Sequence, residues 1–466
     1  MNRRDFIKTG TGAFFIAAAG RALGQGAPSN RIRLCVVGCA RTAYSETAKR
    51  FVVDPKGSRG RGFQVMQAAM EVSGCEIAAL CDVDATALDY AASEVKRVKG
   101  NEPRKFRDLR EALKDPDIDG VIVATPDHWH VLAGIWTMKA GKALYLEKPI
   151  GITAGEAETL AAVQKQTGVI FQLGTQRRSS YATQQGMAQI KSGKYGSPRW
   201  AKAWCLSDRP AIKAPGAMRT PDFIDWDMWQ GPTPHVKGFR GELVHYNWRF
   251  FRGYGTGDLP NNGLHFVDIA RWALGAGFPS SVYAGGGKLF YPGEDFEYED
   301  THMLNVKFPT GQFLTWEGCS HSRGKPFMNQ STGCLVYCDD GLVNFDAGGG
   351  CMVFDRTGRK QLHAWKANEL DPEQQKNGIN AGAGLRVTDF AHAKKFVECV
   401  RAKDPATAMP IDEAVKSNLL TELGNVSLLT DEVVKVDPAT GRLADPNSAA
   451  AKFWTKAYEP GWEVKA

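Results

Sequence analysis

Between residues 31 and 174 short apolar runs alternate with stretches of helical spacing, and this alternation limits the possible folds more than any other feature of the chain. The runs are 32–37, 76–81, 120–124, 143–146 and 169–173, with helix-compatible segments at 88–99, 109–114, 131–140 and 154–166 between them. Parallel strands need a crossover connection and a helix supplies it, so the pattern predicts βαβ units in a doubly wound α/β domain. Ligands of such domains sit at the carboxyl ends of the strands.

Past Gly174 the character changes to aromatic-rich, alternating runs at 200–205, 281–286, 302–308, 313–316 and 333–336, which predict an antiparallel sheet in an α+β domain. Helical stretches at 389–402 and 412–429 close the fold against one domain or between both. A chain of 466 residues exceeds what one core serves. The expected division is 1–30, 31–174, 175–440 and a polar, poorly patterned tail at 441–466.

Residues 1–30 begin Asn2-Arg3-Arg4-Asp5-Phe6-Ile7-Lys8, continue through a short apolar run and end in small residues. This resembles a twin-arginine export signal, with an apolar stretch too short to span a bilayer. It implies a periplasmic or otherwise exported protein, passed folded through the twin-arginine translocon. The formal charge is +7, of which the first 30 residues carry +3, and the remaining +4 gives no argument for nucleic acid. Most of the ten cysteines are expected to be buried free thiols, and the Cys334/Cys338 spacing, lacking companions, does not predict a metal site.

A dinucleotide-binding turn should follow the first strand, where glycines let backbone N–H groups approach a pyrophosphate. Gly38-Cys39 and Gly57-Ser58-Arg59-Gly60 together have the required spacing once residues 40–56 are treated as an insertion. Asp82, ending the second run 22 residues past Gly60, stands where an acid meets the ribose 2′-hydroxyl, and its charge favours NAD over NADP.

Two strand ends then carry Thr125-Pro126-Asp127-His128-Trp129-His130 and Glu147-Lys148-Pro149, and Asn261-Asn262-Gly263-Leu264-His265-Phe266-Val267-Asp268 leads into a helix in the second domain. Together with Gly174-Thr175-Gln176, these motifs resemble the glucose-fructose oxidoreductase, inositol dehydrogenase and rhizopine-catabolism (Gfo/Idh/MocA) family over nearly the whole chain after residue 30. The resemblance implies a Rossmann domain, an open-faced second sheet that commonly builds homo-oligomers, a nicotinamide cofactor at the strand ends, and a small carbohydrate or polyol substrate between the domains.

The chemistry needs the same residue types. Oxidising a secondary alcohol removes the hydroxyl proton as hydride leaves carbon, so a proton acceptor and a group that stabilises alkoxide must lie together. His265 is the candidate base and Lys148 the candidate polarising group, with Glu147 placing the lysine by charge pairing. Thr125, Pro126, His128 and His130 are expected to shape the cofactor pocket. Gln176, Arg178, Trp248 and Asn261 are the principal substrate-side candidates, beside Arg177, Tyr246 and Arg249. Asn261 departs from the inositol-dehydrogenase pattern, which has Asp four residues before the histidine; an amide takes no proton at neutral pH. Asp268 then orients the histidine or its helix. A hydrolase acting by transient oxidation and a non-catalytic cofactor-binding protein are the alternatives; family members of the first kind lack the Glu-Lys-Pro lysine, which this chain keeps.

Overall fold

The computed structural model describes residues 31–39, 42–45, 50–53, 60–214, 216–322, 324–367, 369 and 387–466, with backbone alone for 42–45 and 50–53. The export-signal reading of residues 1–30 lies outside them, as do Gly57, Ser58 and Arg59 of the phosphate-binding turn.

Strand β1 (Ile32–Val37) is followed by a hairpin, β2 (Thr42–Ser45) and β3 (Arg50–Val53), within the expected insertion. Then come α1 (Arg61–Met70), β4 (Cys75–Cys81), α2 (Ala85–Lys99), β5 (Arg104–Phe106) and α3 (Leu109–Ala112). The domain continues with β6 (Gly120–Val123), α4 (Asp127–Lys139), β7 (Ala143–Leu146), α5 (Ala154–Thr167) and β8 (Phe171–Leu173). Six of these strands form a sheet in the order β5-β4-β1-β6-β7-β8, parallel throughout. The apolar runs are continuous because both faces are covered. Leu34, Val36, Ile77 and Ile122 point into one core, and Cys35, Val37, Val121 and Val123 into the other. Asp84 caps α2 by accepting from the amides of Thr86 and Ala87, and Thr153 with Glu156 forms a capping box on α5.

The second sheet follows α6 (Tyr181–Lys191) and begins with β9 (Pro198–Leu206); α7 (Trp226–Gln230) and α8 (Leu264–Leu274) precede the remaining strands. These are β10 (Ser281–Gly287), β11 (Thr301–Lys307), β12 (Phe313–Cys319), β13 (Thr332–Cys338), β14 (Gly341–Asp346), β15 (Cys351–Asp355), β16 (Gln361–Trp365) and β17 (Val434–Lys435). The order is β16-β15-β14-β13-β9-β12-β11-β10-β17, antiparallel except for β9 with β12. On β11, His302, Leu304 and Val306 face the helices while Met303, Asn305 and Lys307 face outward. The mixed, mostly antiparallel sheet with one open face matches the expectation.

Helix α9 (Val387–Ala402) sends Phe390, Phe396 and Val397 into a core of the first domain. Helix α10 (Ile411–Thr430) joins the two domains, with Ile411 and Ala414 in a core of the first and Leu419, Leu420 and Leu423 in that of the second. The C-terminal tail is docked despite its lack of periodicity, because single side chains anchor it. Trp462 meets Trp129 at 5.4 Å, Tyr458 donates to Glu156 at 3.1 Å, and Lys456 lies 3.3 Å from the same carboxylate. All ten cysteines are free thiols.

Beside that anchor Glu422 is buried, and desolvation together with the Glu156 charge pushes its pKa up to about 8. Its folded-state pKa lies above its ordinary value of 4.5, so the group lowers stability as pH rises from there to about 8. Glu422→Gln is expected to flatten that slope in thermal unfolding and to raise the midpoint by a few degrees at pH 8, with little change at pH 5. An unchanged slope would show that the carboxyl titrates normally.

Candidate functional site

A cleft of about 400 Å³ opens at the carboxyl ends of β1, β4, β6 and β7, where the strand order reverses direction around β1. The first domain lines it with Gly38, Gly60, Asp82, Thr125, Pro126, His130, Glu147 and Lys148, and residues beyond them close it with Gln176, Trp248, Asn261 and His265.

At the turn after β1, Gly38 has φ +85°, and a Cβ there would stand 2.6 Å from the Ala124 carbonyl oxygen. A Cβ on Gly62 would meet the Gly38 oxygen at 1.8 Å. These two glycines let α1 start against the strand end, leaving backbone room for a phosphate group. Gly62 escaped the sequence reading because the insertion obscured the motif's spacing.

Asp82 accepts from the Cys39 amide at 2.6 Å and the Asp84 amide at 2.9 Å, and burial with the neighbouring Asp84 charge pushes its pKa up to about 6. Next to it, His245 Nε2 lies 2.7 Å from Asp84 Oδ2, so a side chain of the second domain reaches the outer end of the cleft. Backbone bonds reinforce that crossing: the Ala85 amide donates to the Phe223 oxygen at 2.9 Å, and the Asp225 amide to the Val83 oxygen at 3.0 Å. No local motif announces this pair, since 161 residues separate its members.

The two histidines after Thr125-Pro126 differ in placement. His130 has ring nitrogens 2.6 Å from the Pro149 oxygen and 2.9 Å from the Thr125 oxygen, tying the two strand-end motifs together. His128 does not line the cleft; its ring lies against the Trp229 oxygen at 2.9 Å and the Tyr254 oxygen at 3.3 Å. Burial pulls its pKa down to about 3, so it is a neutral cross-link between domains.

At the inner end, Lys148 Nζ donates to the Asn261 backbone oxygen at 2.7 Å and to its Oδ1 at 2.9 Å. Burial pulls the ammonium pKa down to about 8 against the opposing charges of Glu147 and Asp127. Glu147 does not form the expected ion pair with Lys148. Its Oε1 accepts from Arg61 Nε at 2.8 Å, and the rest of that guanidinium holds Asp389 at 2.8 and 3.0 Å. Arg61 opens α1 directly beside the strand end and reaches the carboxylate first.

His265 lies in the first turn of α8 and lines the cleft with Lys148 and Asn261. Gln176 is buried, and its Oε1 has no hydrogen-bond partner among the described residues, an acceptor left for a ligand's donor. Arg178 lies away from the cleft, contrary to expectation: its fork binds Asp268 at 2.7 and 2.8 Å, and Ser417 adds a bond to that carboxylate at 2.6 Å. Asp268 thus fixes the helix that carries His265, to the segment before α6 and to α10.

Two family descriptions match the chain: "Oxidoreductase family, NAD-binding Rossmann fold" over residues 32–175 and "GFO/IDH/MocA C-terminal domain" over residues 229–344. The chain belongs to the Gfo/Idh/MocA family. Among curated Gfo/Idh/MocA relatives it is similar to scyllo-inositol 2-dehydrogenase (NAD(+)) of Bacillus subtilis strain 168, 34% identical over 47% of this chain and 54% of that protein. It is also similar to glycosyl hydrolase family 109 protein 1 of Shewanella sp. strain ANA-3, 30% identical over 36% and 38% of the two chains. The matches therefore span about two fifths to half of these relatives' lengths. In fold it resembles the WlbA dehydrogenase of Bordetella pertussis in complex with NADH and UDP-GlcNAcA, with a TM-score of 0.61, 18% identity and 87% and 98% of the chains covered.

Arg178→Ala leaves a buried carboxylate without its ion-pair partner, and loss of about 3 kcal/mol in urea unfolding is the expected outcome. A loss below about 1 kcal/mol, on the scale of an exposed pair, would show that the pair does not anchor α8.

Proposed function

We propose that the chain is an NAD-dependent oxidoreductase that transfers hydride between a sugar, glycoside or polyol hydroxyl and a tightly held nicotinamide cofactor. The observation that carries this reading is the partly buried Lys148 ammonium lining, with His265, the inner end of a cleft whose glycine turn leaves room for a pyrophosphate. When bound, NAD supplies the hydride acceptor. Gly38, Gly60, Asp82, Thr125 and Pro126 are the described residues that would hold it; Asp82, repelling a 2′-phosphate, supports NAD over NADP.

Lys148 gives two of its three ammonium hydrogens to Asn261 and keeps one for the substrate oxygen, where its charge stabilises developing alkoxide. His265 takes the hydroxyl proton on oxidation and returns it on reduction. Asn261 receives no proton; it holds the lysine. Tight retention is supported by the crossing of Phe223–Asp225 onto Val83–Ala85 and by His245 on Asp84, which close the outer end of the cleft. Retention fits the export reading of residues 1–30, since an enzyme passed folded through the twin-arginine translocon must carry its cofactor with it. The open face, with Tyr283, Met303 and Phe313 exposed, supports a homo-oligomer.

The similarity to glycosyl hydrolase family 109 favours a second reading, hydrolysis by transient oxidation, elimination, hydration and re-reduction. It is recognised by aglycone release from glycosides without net change in the reduced nicotinamide band.

Lys148→Met is expected to lower turnover by about 10²–10³ while nicotinamide remains bound to the purified protein. In the parent enzyme the rate should fall as pH rises through about 8, because the lowered pKa leaves the amine neutral above that point. Undiminished turnover in the variant would refute the role of Lys148, and absence of any nicotinamide-linked turnover of glycosides and polyols in the parent protein would refute the oxidoreductase reading.

A further inference from the structure

We propose that the substrate of this site is a carboxylated sugar or polyol whose carboxylate docks on Arg249; the inference rests on the oxidoreductase reading for the rest of the substrate. Two cations meet at the inner end of the cleft around a neutral group. Lys148 Nζ lies 2.9 Å from Asn261 Oδ1, and Arg249 Nη1 lies 3.4 Å from the same oxygen. An amide oxygen carries no net charge, so it satisfies hydrogens without neutralising either cation.

The carboxylates nearby are otherwise engaged. Glu147 is committed to Arg61, which also holds Asp389. Asp127 accepts from Thr256 Oγ1 at 2.8 Å, and burial raises its pKa. Among the described residues no carboxylate forms an ion pair with Lys148 or Arg249. Glu147 and Asp127 act on Lys148 only through space, without a direct ion pair, and burial together with the repulsion from Arg249 lowers its proton affinity.

The guanidinium is also held in place for a planar partner. Arg249 Nε donates to the Tyr246 oxygen at 2.9 Å, and its carbon sits 4.1 Å from the Tyr246 ring centroid and 5.0 Å from that of Trp248. Nη2 has no hydrogen-bond partner among the described residues, and Arg249 lines the cleft. A fixed fork with an unused edge suits a carboxylate, which takes two parallel N–H bonds, better than a single hydroxyl. The third ammonium hydrogen of Lys148 stays available for the reacting hydroxyl, so one substrate engages both cations.

Calorimetric titration of the cofactor-loaded protein with D-glucuronate, D-galacturonate and D-gluconate, each against its neutral counterpart, tests this. At least one acid should bind about tenfold more tightly than its counterpart, with the preference falling to about twofold in Arg249→Gln and persisting in part in Arg249→Lys. Equal or weaker binding of the acids, no measurable binding of any of them, or a preference that survives Arg249→Gln would overturn the proposal. Preferential binding of an acid without hydride transfer would instead refute the oxidoreductase reading and leave this one standing.

Discussion

The bond from Lys148 to Asn261 is the constraint on which the site depends. It crosses from the strand end of one domain to the turn that opens α8 in the other, and it places a partly buried ammonium against two oxygens without net charge. Such a cation is tolerable only if it is well hydrogen-bonded and firmly placed. The neighbouring contacts supply that placement. Arg61 removes Glu147 from direct pairing, and desolvation then holds the lysine pKa down against the remaining through-space pull of Glu147 and Asp127. The Arg178–Asp268 pair and Ser417 then fix α8, so that His265 is presented to the same space.

Three histidines that looked like candidates for chemistry or cofactor contact, or that escaped notice, share a different task. His128 and His245 each join the first domain to the excursion between β9 and α8, and His130 ties the two strand-end motifs to each other. An imidazole suits this work because its rigid ring carries two nitrogens that reach oxygens of separate segments. The consequence is functional. The excursion that lines one wall of the cleft is attached at the outer end by His245 and backbone bonds, and alongside α4 by His128, so entry or exit of a long ligand must disturb these contacts.

The parallel and antiparallel sheet classes, the doubly wound first domain and the strand-end position of Lys148 were legible because each depends on local periodicity or on short contiguous motifs. Pairing was not. Glu147 and Lys148 are adjacent in sequence, which suggested an ion pair, yet Arg61 lies 86 residues away and reaches the carboxylate instead. Arg178 follows Gln176 by two positions, but a 3-10 turn over Gln176–Ser179 sends one toward the cleft and the other toward Asp268. The docked tail was illegible for a similar reason: Lys456, Tyr458 and Trp462 act as separate anchors, and no period links them.

Asn261 connects the proton chemistry to the charge of the site. A carboxylate at this position could have accepted a proton and also neutralised the two cations beside it; the amide does neither. With that residue excluded from the relay, the proposed chemistry gives the proton to His265, and Lys148 and Arg249 meet no carboxylate in a direct ion pair among the described residues. An anionic substrate would supply that pairing on binding and would raise the proton affinity of Lys148 at the moment its charge is needed. Desolvation, which depresses the lysine in the empty cleft, would then be opposed by the charge of the ligand itself, which favours the ammonium where the developing alkoxide needs it.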